Sequence, residues 1–109
     1  MTKEGFKNKI VVVTGAASGI GFALCKRFAS DGAKICLLDM DDKAMEVAER
    51  ELTDSGVDCL SIVCDVSKRA KCEDSIRKVM DRYGGVDVLI NNAGMSPLYD
   101  RPADIPEAL

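Results

Sequence analysis

Apolar residues fall into four short runs separated by longer stretches of helical periodicity. The first run, Ile10-Val11-Val12-Val13, has no polar residue in it. A strand that reads this way is buried on both faces, as in a parallel sheet covered by helices on either side. The pattern predicts a strand over 9–14, then a helix over 19–30 carrying Ile20, Ala23, Leu24 and Phe28, stopped at Asp31-Gly32. A second strand over 33–38 closes at Asp39. Asp41 or Asp42 can cap the next helix, whose apolar positions are Ala44, Val47, Ala48 and Leu52, ending at Ser55-Gly56. A third strand over 58–64 closes at Asp65-Val66. Ser67 is the expected cap of a third helix that presents Cys72, Ile76, Val79, Met80 and Tyr83 to the core. After Gly84-Gly85, a fourth strand over 86–90 runs into Asn91-Asn92-Ala93-Gly94. The remainder, from Met95, reads as a loop leading into a helix start at Pro106-Glu107-Ala108-Leu109.

The order β-α-β-α-β-α-β with right-handed crossovers predicts an α/β, doubly wound parallel sheet, partial, with strand order 3-2-1-4. Ligands of such sheets bind at the carboxyl ends of the strands, near the switch in strand order. Four polar stops land on that edge. The first is Thr14-Gly15-Ala16-Ala17-Ser18-Gly19-Ile20-Gly21, a glycine turn opening a helix. Glycine lets the backbone approach a ligand closely, and the helix start supplies N–H groups and a positive dipole end for a phosphate.

Asp39 stands about 18 residues beyond Gly21, at the place from which an acid accepts the two ribose hydroxyls of an adenosine. Its charge repels a 2′-phosphate. No Arg or Lys lies in Ala16-Ala17-Ser18 to neutralise one, and Asp41 and Asp42 add negative charge, so NAD is expected and NADP disfavoured. The plain alternative for Asp39 is a helix cap or a loop carboxylate. Asp65 reads either as a solvated turn residue or as an acceptor for the adenine amino group. Asn91 is expected to tie the sheet end, with Asn92 to Gly94 beside the cofactor ribose.

Composition narrows the field. The chain of 109 residues is one small domain at most; it carries a net charge of −3, two Tyr, three Phe and no Trp. No basic cluster with stacking aromatics is present, so no nucleic-acid partner is expected. The first nine residues are polar and no run is long enough to span a bilayer, so no membrane partner and a cytoplasmic location are expected. The five cysteines, at 25, 36, 59, 64 and 72, are odd in number and lack CxxC spacing. They read as reduced thiols used as small apolar residues. With no histidine in the chain, a zinc site or a histidine-activated nucleophile is not expected.

Gly15, Gly19 and Gly21 give GxxxGxG rather than the GxGxxG of the usual dinucleotide fingerprint. With Thr14 ahead, Ile20 between the last two glycines, and Asn-Asn-Ala-Gly after the fourth strand, the chain resembles the classical short-chain dehydrogenase/reductase family from Phe6 to about Ser96. That resemblance implies a Rossmann sheet binding NAD or NADP. It implies cofactor-binding roles for Gly15, Ser18, Gly19, Ile20, Gly21, Asp39, Asp65, Val66, Asn92, Ala93 and Gly94. It also implies hydride transfer between the nicotinamide and a small secondary alcohol or ketone, in a full-length form that is a homo-oligomer.

Relatives of this kind use a Tyr with a Lys four residues later as acid/base, a Ser on the fifth strand and an Asn on the fourth helix. Tyr83 is followed at that spacing by Asp87, and Tyr99 by Ala103. Residues 1–109 are therefore expected to be a partial NAD(P)-binding Rossmann domain lacking the catalytic half, inactive alone, with no catalytic or metal-binding residue to name. Without a fifth strand, the apolar fourth strand is expected to invite pairing with another chain. Two other readings remain. One is a non-catalytic dinucleotide-binding module, a sensor or subunit, which a downstream Tyr-xxx-Lys would exclude. The other is a methyltransferase using S-adenosylmethionine, which the glycine spacing disfavours.

Overall fold

In the computed structural model, residues 5–92 are described. Ala93, Gly94 and the expected loop and helix start beyond Met95 lie outside the described residues. The order of elements is β1 (Ile10–Thr14), α1 (Gly19–Ser30), β2 (Lys34–Asp39), α2 (Asp42–Asp54), β3 (Cys59–Val63), α3 (Arg69–Tyr83) and β4 (Val88–Ile90). All pairings are parallel, and the strands lie in the order β3-β2-β1-β4. The doubly wound parallel sheet expected from the apolar runs is therefore present, with its switch point between β1 and β4.

The two faces of the sheet are covered separately. Val11, Val13, Ile35 and Leu37 pack with Cys25 of α1 and with Met45, Ala48 and Leu52 of α2. Ile10, Val12, Cys36, Leu38 and Ile62 pack with Val79 of α3. Successive side chains of a strand point to opposite faces. The valine run of β1 can thus be wholly buried only because helices lie on both sides.

Three helix faces differ from the pattern expected. On α1, Gly21 and Cys25 are buried while Ile20 is 74% exposed and Ala23 is exposed. The sheet needs the helix start close, and only the glycine face allows that approach. On α2, Met45 replaces Val47 in the core, and Val47 is 68% exposed. Met45, Ala48 and Leu52 share one stripe, and Val47 falls well round the helix from Met45. On α3, Met80 is exposed and Ser75 is buried. Ser75 tolerates burial because its hydroxyl donates to Lys71 O at 2.9 Å within the helix. The expected cap also moves: Lys68 is the N-cap of α3 and, having no side-chain acceptor, makes no cap bond, while the Ser67 hydroxyl donates to Asp65 Oδ1 at 2.6 Å. For α2 the cap is Asp41, which accepts from Ala44 N at 3.0 Å.

A reciprocal tie joins the beginnings of β1 and β4. Ile10 N donates to Asp87 Oδ2 at 2.8 Å, and Asp87 N donates to Ile10 O at 2.9 Å.

The five cysteines are free; Cys25, Cys36 and Cys64 are buried and the other two half-buried. Burial pushes the Cys25 and Cys36 thiols up to about 12. Thiolate, not thiol, is the reactive form. At pH 8 these two are expected to resist iodoacetamide in the folded protein and to react fully in denaturant, read by mass spectrometry of the labelled peptides. Labelling of Cys25 at the rate of a free thiol under native conditions would contradict the packing described.

Candidate functional site

The glycine turn, Asp65-Val66 and Asn92 follow the carboxyl ends of their strands, and Asp39 is the last residue of β2. The turn leaves β1 at Gly15 and enters α1 at Gly19, both with positive φ, +61° and +57°. A side chain at either position would be strained. Open space surrounds the Gly19 position, with nothing within 4 Å of where a Cβ would stand. Gly21 is the opposite case. A Cβ there would overlap Gly15 O and lie 2.6 Å from Asn92 Nδ2. Gly19 thus shapes the turn, and Gly21 lets α1 sit against the end of β1.

Ser18, the N-cap of α1, is exposed and makes no side-chain cap bond, and no acidic residue stands in the first turn. Ile20 beside it is exposed. A helix start with no acid in its first turn and a cap hydroxyl that makes no cap bond fits an anion such as a diphosphate.

Asp39 joins this turn directly. Its Oδ2 accepts from Ala17 N at 3.0 Å and its Oδ1 from Asp41 N at 3.0 Å. Its main-chain O accepts from Cys64 N at 2.9 Å, and Ala16 N donates to Leu38 O at 3.2 Å. The ends of β1, β2 and β3 are therefore linked through one residue. Asp39 also proves not to be the α2 cap, a place Asp41 takes.

At the end of β3, Asp65 Oδ1 accepts from both the Ser67 hydroxyl and Ser67 N, the latter at 3.0 Å. These two bonds hold the carboxyl below the usual carboxylate range. It stays charged through neutral and mildly acid pH. Its ordering of the loop is present above the unfolded value of about 3.9 and is lost as pH falls through the lowered folded value. Val66 is half-buried beside it and packs with the α3 side of the core.

Thr14 organises the fourth corner. Its hydroxyl donates to Asn91 Oδ1 at 3.0 Å and accepts from Asn92 N at 2.9 Å. Asn92 Nδ2 in turn donates to Gly15 O at 3.4 Å. The glycine turn and the segment after β4 are thus stitched together. Asn91 ties the sheet end as expected; Ala93 and Gly94 lie outside the described residues. Sequence places Thr14 at the head of the glycine turn but gives no sign of its hydroxyl's partners, which lie 77 and 78 residues away.

Tyr83 lies at the other end of the sheet, where its hydroxyl donates to Asp58 Oδ1 at 2.7 Å just before β3. Burial first, and then that bond, pushes its phenol up. It is badly placed and badly tuned for proton transfer at this site. Among the described residues no group of three or more metal-ligating side chains occurs, and no helix is long and apolar enough to cross a membrane.

A sequence profile described as short chain dehydrogenase matches residues 9–107. The chain is 37% identical over 106 residues to the uncharacterized oxidoreductase YxjF of Bacillus subtilis, covering 94% of this chain and 41% of that protein. Among solved structures it is similar to an NAD+-bound xylitol dehydrogenase, with a TM-score of 0.80 and 38% identity over 92% of this chain and 40% of that one. It is also similar to the L-sorbose reductase of Gluconobacter frateurii complexed with NADPH and L-sorbose, with a TM-score of 0.81 and 30% identity over 98% of this chain and 41% of that one. The chain thus spans about two fifths of the length of these relatives. It belongs to the short chain dehydrogenase family.

Proposed function

We propose that the chain is the cofactor-binding part of an NAD-dependent oxidoreductase that moves hydride between the nicotinamide and a secondary alcohol or ketone. The observation that carries this is the Asp39 carboxylate held against the glycine turn by Ala17 N–H at 3.0 Å. It sets a fixed negative charge beside the helix start, where an adenosine ribose would lie, and that charge favours free hydroxyls over a 2′-phosphate. In this reading Gly15, Ser18, Gly19, Ile20 and Gly21 receive the diphosphate side of the cofactor. Asp39 takes the adenosine ribose, Asp65 and Val66 take the adenine, and Asn92, Ala93 and Gly94 flank a ribose. When bound, the dinucleotide supplies the hydride chemistry; these residues bind and orient it.

Relatives support a nicotinamide cofactor of either type, since the xylitol dehydrogenase is bound to NAD+ and the sorbose reductase to NADPH. The choice of NAD rests on Asp39. Calorimetry on the full-length protein is expected to show NAD binding at least about tenfold tighter than NADP, the scale of one charged contact. Asp39→Ser should shrink that ratio. Tighter binding of NADP by the unaltered protein would refute the assignment.

A further inference from the structure

We propose that Asp39 is a positioning residue for the glycine turn as well as the acceptor for the adenosine ribose. The inference rests on the ribose reading above and adds a role that exists before any cofactor arrives. An ionised carboxylate offers about four lone-pair sites. The protein uses one on each oxygen, Oδ2 for Ala17 N and Oδ1 for Asp41 N, both at 3.0 Å. Among the described residues nothing takes the second site on either oxygen, which matches the two hydroxyls of a ribose.

The two N–H anchors come from different loops and fix the plane of the carboxylate between them. In return, the carboxylate orders Ala17, whose neighbour Ser18 stands at the N-cap position of α1. Bonds from N–H groups to a charged acceptor are the stronger kind, and this one stands among half-buried groups. The placement of the diphosphate cradle and the recognition of the ribose therefore depend on one side chain. Cofactor preference then cannot be exchanged by a substitution at 39 alone. Removing the charge that rejects a 2′-phosphate also releases the turn that must hold the diphosphate.

Two measurements on the full-length protein test this. The first is amide hydrogen exchange without cofactor. In Asp39→Ser, exchange at Ala17 is expected to rise about tenfold while Val12 and Ile35 in the sheet stay protected. The second is affinity for an NAD analogue whose adenosine ribose lacks both hydroxyls. Asp39→Ser is expected to weaken that analogue about tenfold, although it offers Asp39 no hydroxyl to bind. If Val12 and Ile35 lose protection, the near-isosteric Asp39→Asn takes the place of the serine variant. It puts an amide donor where one backbone N–H needs an acceptor. Unchanged exchange at Ala17 and unchanged analogue affinity, with NAD weakened, would overturn the positioning role and leave the ribose reading intact. Unchanged NAD affinity would overturn the ribose reading and the proposal with it.

Discussion

Gly21→Ala is expected to destabilise the fold by about 3 kcal/mol or more, at the upper end of what overpacking costs, and to abolish dinucleotide binding. The added methyl would overlap Gly15 O and lie 2.8 Å from Gly15 C and 2.6 Å from Asn92 Nδ2. Two of these atoms are backbone and cannot swing aside as a flexible side chain would. Relief requires α1 to move away from β1, and that breaks the bond from Asn92 Nδ2 to Gly15 O and opens the turn. Gly19→Ala is the control. Its methyl meets nothing within 4 Å but must adopt a φ of +57°, a strain of about 1–2 kcal/mol. Urea unfolding of the two variants separates crowding from backbone strain. Equal losses would mean that the close approach of helix and strand is not what Gly21 provides.

Thr14→Val is expected to cost about 2 kcal/mol and to weaken NAD severalfold, although no reading places Thr14 against the cofactor. Valine keeps the shape of threonine and removes only the hydroxyl. Thr14 is 7% exposed, and that hydroxyl both accepts from Asn92 N and donates to Asn91 Oδ1. Stripping one partner from hydrogen-bonded groups near a buried site costs about 1–3 kcal/mol. The segment after β4 would lose its anchor to the glycine turn. Denaturant unfolding reads the first effect and calorimetry the second. Thr14→Ser, which retains the hydroxyl, should restore most of both. Full stability in the valine variant would show that the hydroxyl is dispensable.

The sheet and its strand order were legible because the signals are local and redundant. Ile10-Val11-Val12-Val13 can be buried only between two layers, and a polar residue stands at or within two residues of the end of each later strand: Asp39, Asp65 and Asn91. Helix positions were legible to within a residue or two for the same reason. The faces of the helices were less so. Val47 looked as apolar as Met45 by sequence, and the choice between them is made by how α2 lies on β2 and β3, which no local pattern encodes. Ser67 was the better cap by residue type, but the neighbouring carboxylate of Asp65 claims its hydroxyl.

The site was legible as a set of loop ends on one edge. What sequence left hidden were the bonds between them. Thr14 reaches Asn91 and Asn92, and Asp39 reaches Ala17, across separations of 77, 78 and 22 residues. Such partners become neighbours only once the sheet is assembled.

The tie between Ile10 and Asp87 spans 77 residues, and it bears on the timing of assembly. One flank of β1 is filled by β2 soon after synthesis, but the other waits for β4. Closing so large a loop is entropically slow compared with the local helical contacts. The strand at the centre of the sheet thus stays half-paired until nearly all of the described chain exists. The proposed nucleotide cradle, which needs Asn92 beside Gly15, is accordingly among the last parts to mature, so that in a nascent chain the glycine turn stays unanchored until the sheet has closed around its first strand.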